Sequence, residues 1–579
     1  MNKKIKHSIV TEDASVKTTE NRKKILPHII VLISMLAICF ACTKSGGDII
    51  DEDDNFDEEE IIDGTVCSEL GMIPNDKTQG TNNRKILINA LNDGINLLVD
   101  NKYYLTGLGT PAKVNSDIVI AGITDNAEFS FTKTSMTQSN FINIATSNLL
   151  MRKLRFTSIN DEAVYAFRLS DTHKMKTLSI ENCYFEGPIR LVNWSYTNSI
   201  YPDPDQDDYG IENFKFTNNT CKNIRESFIV LNNVPIKHSQ VIKNTITNFS
   251  NIFYCQEITN VNVHVDRLAP KMAYLEVREN KVINDLSWNG MFKDQMYHCF
   301  VFFEGDKCDY KYNHVEGLHI FDKSTNVYDA YISCINLEYE NNFWKNNILF
   351  NSDPSYLKAR QLIKCKNAPR LNGYKNIKRI IRNNTFIVEK SYAERLGRDP
   401  EELWVTMSEF DNEMESVVLE KNKIDVYILR FSSATVLTHN YTFSNNEIHA
   451  YKTRNNAHNC ILPITREVND AVNGAYIAKG NKINIDMPGE VTTRSNSLVR
   501  FMIPGERVKY VKVSFEDNIV SWPDLSVLVS SANSMSAADT DISITNNTVT
   551  TEKKPNDKTN SITGTIDLTG NNFTVTGGG

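Results

Sequence analysis

One short phrase, repeated along the chain, limits what it can fold into more than any other feature. It consists of alternating apolar residues, a polar pair, an Asn, and then a second alternating stretch. The marked residues are Asn182, Asn219, Asn244, Asn280, Asn313, Asn342, Asn384, Asn422, Asn446, Asn481, Asn518, Asn547 and Asn572. The shortest steps, Asn219 to Asn244, Asn422 to Asn446 and Asn547 to Asn572, are 24 or 25 residues. A period of this size marks a solenoid, in which each repeat buries its apolar side only by stacking on the next. The longer steps then carry their surplus as loops on the faces of a constant coil.

Within the phrase, stretches such as Val511 to Phe515 before Asn518 alternate with the period of two that strands require, so each phrase reads strand, turn, strand. Asn suits the turn because it tolerates left-handed backbone and its side chain bonds to neighbouring backbone. One Asn per coil predicts a structural ladder of stacked amides that satisfies groups the turn leaves unpaired. The 579 residues exceed what one compact core accommodates, and the repeat decides for an elongated body. The expected fold class is all-β: a single-stranded right-handed parallel β-helix solenoid with an N-terminal capping helix.

Val114 to Ile120 and Leu149 to Phe156 read as earlier, unmarked coils. The helix is predicted over residues 82–94, where Ile86, Leu87, Ala90 and Leu91 share one face and Gly94 closes the C-terminus. It would shield the first coil from edge-to-edge pairing. The expected organisation is a signal peptide over 1–41, an acidic flexible tether over 42–64, the N-terminal cap over 65–110, and the β-helix with loop insertions over 111–579.

The first 41 residues carry basic Arg22, Lys23 and Lys24, an apolar run from Ile25 to Phe40, and Ala41 before Cys42. The apolar run is short for a membrane span. The segment resembles a bacterial lipoprotein signal, which implies lipidation at Cys42 and attachment to a membrane through that lipid. Its loss takes the formal net charge from -8 to -12, and ten of the acids lie between Asp48 and Asp63. A like-charge block repels itself and stays extended and solvated. Its place after the cysteine is similar to the acidic surface-export tether of Bacteroidota lipoproteins, which implies an outer-membrane or cell-surface location. No basic stripe exists for a nucleic acid partner. Beyond Cys39 and Cys42 the nine cysteines are odd in number and widely spaced, with no Cys-x-x-Cys pair, so they are expected as buried thiols rather than a disulfide scaffold or zinc site.

The polar stretch Asn75 to Gly80, the short helix, and the strand from Leu97 into a turn at Tyr104 resemble the opening of the pectate-lyase-like β-helix superfamily. The resemblance covers nearly the whole body from residue 65 and concerns architecture. That fold hosts lyases, hydrolases, esterases and binding or adhesive proteins, so it names no reaction. Polygalacturonase-like hydrolases pair Asp-Asp with a downstream Gly-His-Gly, and only Asp207-Asp208 is present. Classical lyases carry Arg-x-Pro-x-x-Arg, and the run from Arg398 through Pro400 to Leu403 lacks the final Arg.

Two stretches offer chemistry. Between Asn182 and Asn219 stand Arg190, the aromatics Trp194, Tyr196 and Tyr201, and the acids Asp203, Asp205, Asp207 and Asp208. Acids at alternate positions suit a hard cation such as calcium, the one cofactor the sequence suggests, and the aromatics suit sugar rings. The plain alternative is a solvated acidic turn. Between Lys293 and His319 acids and bases crowd together, with His298, Lys307 and His314 as candidate bases beside Arg190. For each His the plain alternative is an ordinary packed or surface side chain. Between Asn384 and Asn422, Asp399 and Pro400 predict a short capped helix, and Trp404 is read as its anchor.

Three functions fit. One is a non-catalytic surface β-helix that binds polysaccharide or host-surface material. A second is a divergent polysaccharide lyase working by β-elimination on a uronic-acid glycan. The third is a structural adhesin.

Overall fold

The computed structural model describes residues 63–577, apart from 107–111, 133–139, 159–163, 170–173, 196–209, 233, 235, 255–271, 289–296, 321–325, 350–360, 366–375, 411–413, 433–437, 455–458, 465–473, 490–494 and 504. The period-two alternation of the sequence places every second side chain inside a coil, and each coil pairs in parallel with the next. The chain is a parallel β-helix with three faces. Face A precedes the marked turn: Ile118–Gly122, Asn148–Arg152, Met175–Glu181, Ile211–Thr217, Ile236–Ile242 and Met272–Arg278 stack in register and continue to Asp541–Thr545. Face B follows the turn, from Lys102–Thr106 through Tyr184–Glu186 and Lys281–Ile283 to Asn572–Val575. Face C closes the coil with strands such as Val164–Leu169, Ile189–Ser195 and Trp404–Phe410. Long strands turn a corner without a break: Tyr297–Lys311 and Asn326–Glu340 each run from face C into face A. These shared strands join 38 strands into one hydrogen-bonded network.

Inside the coils like side chains stack on like. Phe156 lies parallel to Phe185 at a centroid separation of 5.2 Å, and Tyr310 to Tyr339 at 4.8 Å. The coil spacing of about 4.8 Å sets these distances. Seven described cysteines, at 67, 183, 221, 299, 308, 334 and 460, are free and buried within this stack. Burial pushes the Cys67 and Cys460 thiols up to about 12.

The helix spans Gly80–Asn92 and turns Leu87, Ala90 and Leu91 inward. Asn83 fixes it by exchanging two 2.8 Å bonds with the backbone of Ile73. The boundary placed at residue 111 does not hold. Thr65–Val66 pairs with Leu97–Leu98, Leu97–Val99 pairs with Ile120–Gly122, and Lys102–Thr106 pairs with Glu128–Thr132. Coil strands thus begin at residue 65, and the helix is inserted between two of them.

The turn between faces A and B is built from two residues with separate tasks. The first is left-handed, with φ between 53° and 59° at Asn182, Asn218, Lys243, Glu279, Tyr312, Asn341, Asn383, Lys421, Asn445, Asp517 and Asn546. The second is the buried amide of the ladder. Asn219, Asn244, Asn280, Asn313, Asn342, Asn384, Asn422, Asn446, Asn481, Asn518 and Asn547 each accept on Oδ1 a bond from the previous coil's turn N–H. Their Nδ2 groups donate to a carbonyl of the previous coil and to the next Oδ1; Asn244, for example, donates to Phe216 and Asn280, both at 2.9 Å. All four bonding positions of the amide are used.

The turn departs from the sequence expectation at three points. The left-handed residue is the one before the ladder amide. Asn182 is such a turn residue, and Cys183 occupies the ladder position, giving its N–H to Asn219. At the other end Asn571, not Asn572, receives both bonds from Asn547, because Gly570 takes the left-handed turn and Asn572 has already entered face B.

Candidate binding face

Counted back from each ladder amide, the residues six, four and two positions earlier point outward on face A. In the coil ending at Asn280 these are Tyr274, Glu276 and Arg278. The next coil brings Lys307, Asp309 and Lys311 into register with them, and the following one Asn336, Glu338 and Glu340. Lys378, Ile380 and Arg382 come after, while His238 and Gln240 precede. Three carboxylates, Glu276, Asp309 and Glu338, therefore occupy one column along the axis, with cations in the columns beside them. Like charges in neighbouring strands repel, so this column needs its flanking partners.

The partners are all present. Tyr274 Oη lies 2.7 Å from Glu276 Oε1 and 2.5 Å from Asp309 Oδ2, so its one hydroxyl proton serves both carboxylates in turn. Gln240 donates to Glu276 at 3.0 Å, and Arg278 reaches Glu276 at 3.2 Å and Asp309 at 3.7 Å. Lys307 lies 3.3 Å from Asp309 and 4.7 Å above the Tyr274 ring, whose other neighbour is the parallel His238 ring at 5.1 Å. Lys311 bonds Glu338 and lies 3.6 Å from Glu340, which Arg382 also contacts at 2.5 Å. In two of the pairs the acid lies beneath the cation, with Asp309 and Glu340 side chains 5% and 8% exposed against 45% and 44% for Lys307 and Arg382; in the Lys311–Glu338 pair the order is reversed, with Lys311 the more buried.

Proton affinities follow from this layering. Burial pushes the Tyr274 phenol well above its ordinary value, and its bonds to Asp309 and Glu276 push it further. Burial works to raise Glu276, but the bonds from Gln240 and Tyr274 and the Arg278 charge outweigh it and hold the carboxyl below its usual range. Tyr274 is thus a proton donor locked between two acceptors, and Glu276 stays ionised.

The residues singled out from the sequence do not converge. Arg190 and His298 lie in strands of face C, Lys307 on face A and His314 on face B. The His298 side chain lies outside the described residues. His314 packs against Phe343 and sits 3.3 Å from Glu316. Trp194 is a correction: its side chain is buried in the core of the coil and offers no ring to a ligand, because its alternation with Asn193 points it inward. Tyr196, Tyr201, Asp203, Asp205, Asp207 and Asp208, with the calcium proposal that rests on the acids, lie outside the described residues, as does Cys42. Among the described residues no group of three His, Cys, Asp or Glu is placed to hold a metal ion. Asp399 does cap a short helix, Pro400–Glu402, by accepting from Glu401 N, and Trp404 is buried beneath Arg454.

Tyr274, Glu276 and Arg278 escaped the sequence reading. Their signal was present: aligning the phrases on the ladder amides puts them in one column set with Lys307, Asp309 and Lys311. A second outward cluster lies on face B, where His449 bonds Asp425 through Nδ1 and Asp486 through Nε2, both at 2.9 Å. Both carboxylates raise its proton affinity despite burial.

No protein-family model matches the sequence, and no curated protein matches it. Among solved structures the chain is similar to PfbA, a surface adhesin of Streptococcus pneumoniae, at 10% identity over 89% of this chain and 92% of that one. The TM-score is 0.23, so the fold rests on the strand register above and not on this likeness.

Proposed function

We propose that the protein is a cell-surface β-helix, anchored through a lipid on Cys42, that binds polysaccharide or other extracellular material along face A without cleaving it. The observation that carries this reading is the outward network of Tyr274, Glu276, Arg278, Lys307 and Asp309 in adjacent coils. Elsewhere on the same face the middle column mixes polar and apolar residues, with Lys215, Ile380, Val418, Thr442, Ile477 and Ser514, and stacks no three acids. A column of three acids held by flanking cations is more than a solvated strand requires. It presents donors and acceptors at the coil spacing to an extended chain of hydroxyl-bearing units.

The β-elimination alternative needs a base with a lowered proton affinity and a free cation for the substrate carboxylate. Tyr274 is shifted the opposite way, and Lys307 and Arg278 are engaged with Asp309 and Glu276. This arrangement favours binding over turnover. The test is retention of the purified chain on immobilised dextran, xylan, hyaluronan and mucin, compared with Tyr274→Phe. Retention on at least one matrix, weakened by the substitution, is expected. Passage of the intact protein through all four defeats the reading.

A further inference from the structure

We propose that Tyr312, at the corner where face A turns into face B, is a stacking subsite for a single sugar ring; the inference rests on the binding function above and adds a residue that nothing in the face A network contains. The corner position costs backbone energy for any residue with a Cβ, and most for a bulky one. In other coils it is held by Asn, Gly, Lys, Glu or Asp. Tyr312 adopts the same left-handed conformation, with φ of 59°. Tyr312 is 59% exposed, the highest value among the large hydrophobic residues described. Among the described residues the side chain makes no hydrogen bond, ion pair or ring contact; only its backbone N–H is engaged, with Glu340 O at 3.0 Å. No polar or ring contact among the described residues calls for Tyr at this corner, where Asn would carry less backbone strain.

Position and surroundings identify the occupant. Tyr312 directly follows Lys311 of the face A network and precedes ladder residue Asn313. Its neighbours along the corner are Glu279 and Asn341, and across the turn stand His314 and Phe343, whose rings meet at 4.6 Å. Among the described residues Lys281, Glu316 and Lys345 stand nearby, and these charged groups interrupt the apolar area a protein partner would bury. One open aromatic ring among carboxylate, amide and ammonium groups matches a ring that offers apolar C–H on its face and hydroxyls on its rim. Asn341 and Glu279 stand one coil step to either side, within the width of such a ring.

The experiment measures retention of the full chain, wild type and variants, on the same dextran, xylan, hyaluronan and mucin matrices, together with thermal unfolding. Tyr312→Asn is expected to melt no earlier than wild type, since Asn is the residue the corner accepts elsewhere, and to weaken retention about three- to tenfold. Tyr312→Phe keeps the stacking ring and retention within about twofold. Undiminished retention of Tyr312→Asn overturns the subsite. If Lys307→Ala weakens retention while Tyr312→Asn does not, the subsite fails and the face A reading stands. If wild type is retained by none of the four, both fail.

Discussion

The backbone N–H and the side-chain Nδ2 of Asn384 end on one atom, Oδ1 of Asn422 in the next coil, at 3.1 and 2.9 Å. The same relation holds one step back, where Asn342 gives both groups to Asn384 Oδ1. Each ladder amide is thus the acceptor for the coil behind it and a donor to the coil ahead.

Asn384→Ala removes the acceptor of two donors on Asn342 and the donor to Tyr339 O, all buried. Leaving such groups unsatisfied costs about 4 kcal/mol in total. Chemical unfolding of the variant checks this. A loss below about 1 kcal/mol would show that water or a backbone shift replaces the amide.

Lys421 occupies the left-handed turn, with φ of 53°, and its side chain is largely exposed beside Glu420 at 3.7 Å. Lys421→Gly relieves the turn and is expected to stabilise by about 1 kcal/mol. The same substitution at Lys423, two residues on in an extended strand, is expected to destabilise. Equal effects at both positions would contradict the division of labour in the turn.

How much of this was legible in the sequence depended on which contacts repeat. The coil, the strand alternation and the ladder follow from local phrases, because Asn219 through Asn547 recur in the same setting each time. The ends misled, since Asn182 and Asn572 satisfy the phrase while Cys183 and Asn571 hold the ladder positions; a one-residue shift is invisible without the register. The site was less legible. Lys307 and Asp309 stand close to His298 and His314 in sequence, but the corners send them to different faces. Tyr274 meets Asp309 across 35 residues, a contact only coil stacking creates.

Stability should depend on pH through two groups of opposite sign. His449 has a raised folded value, so its contribution is fully present below its ordinary 6.5 and is lost as pH rises through the folded value. Glu276 has a lowered value, so its contribution is present above the ordinary 4.5 and is lost as pH falls through the folded value. Unfolding midpoints across pH 4 to 9, on the order of one-unit steps, should show His449→Gln losing stability relative to wild type only on the acidic and neutral side. A difference that grows with rising pH contradicts the clamp between Asp425 and Asp486.

Lys307→Ala removes an exposed cation from Asp309 while Tyr274 and Arg278 remain. Because Asp309 is buried although Lys307 is half-exposed, the loss is expected at about 1 to 3 kcal/mol, with Tyr274 and Arg278 still holding the carboxylate. Polysaccharide retention should fall about five- to tenfold. Trp194→Ala is the opposite case: emptying a buried site costs about 3 to 5 kcal/mol and alters retention only through lost folding.

The most direct measurement is amide hydrogen exchange of the protein with and without whichever of dextran, xylan, hyaluronan or mucin retains it. Binding along face A predicts added protection in Met272–Arg278 and in the segments 307–311 and 336–340, with faces B and C unchanged beyond the Tyr312 corner. Protection confined to face C, or release of a shortened glycan during the experiment, contradicts the account.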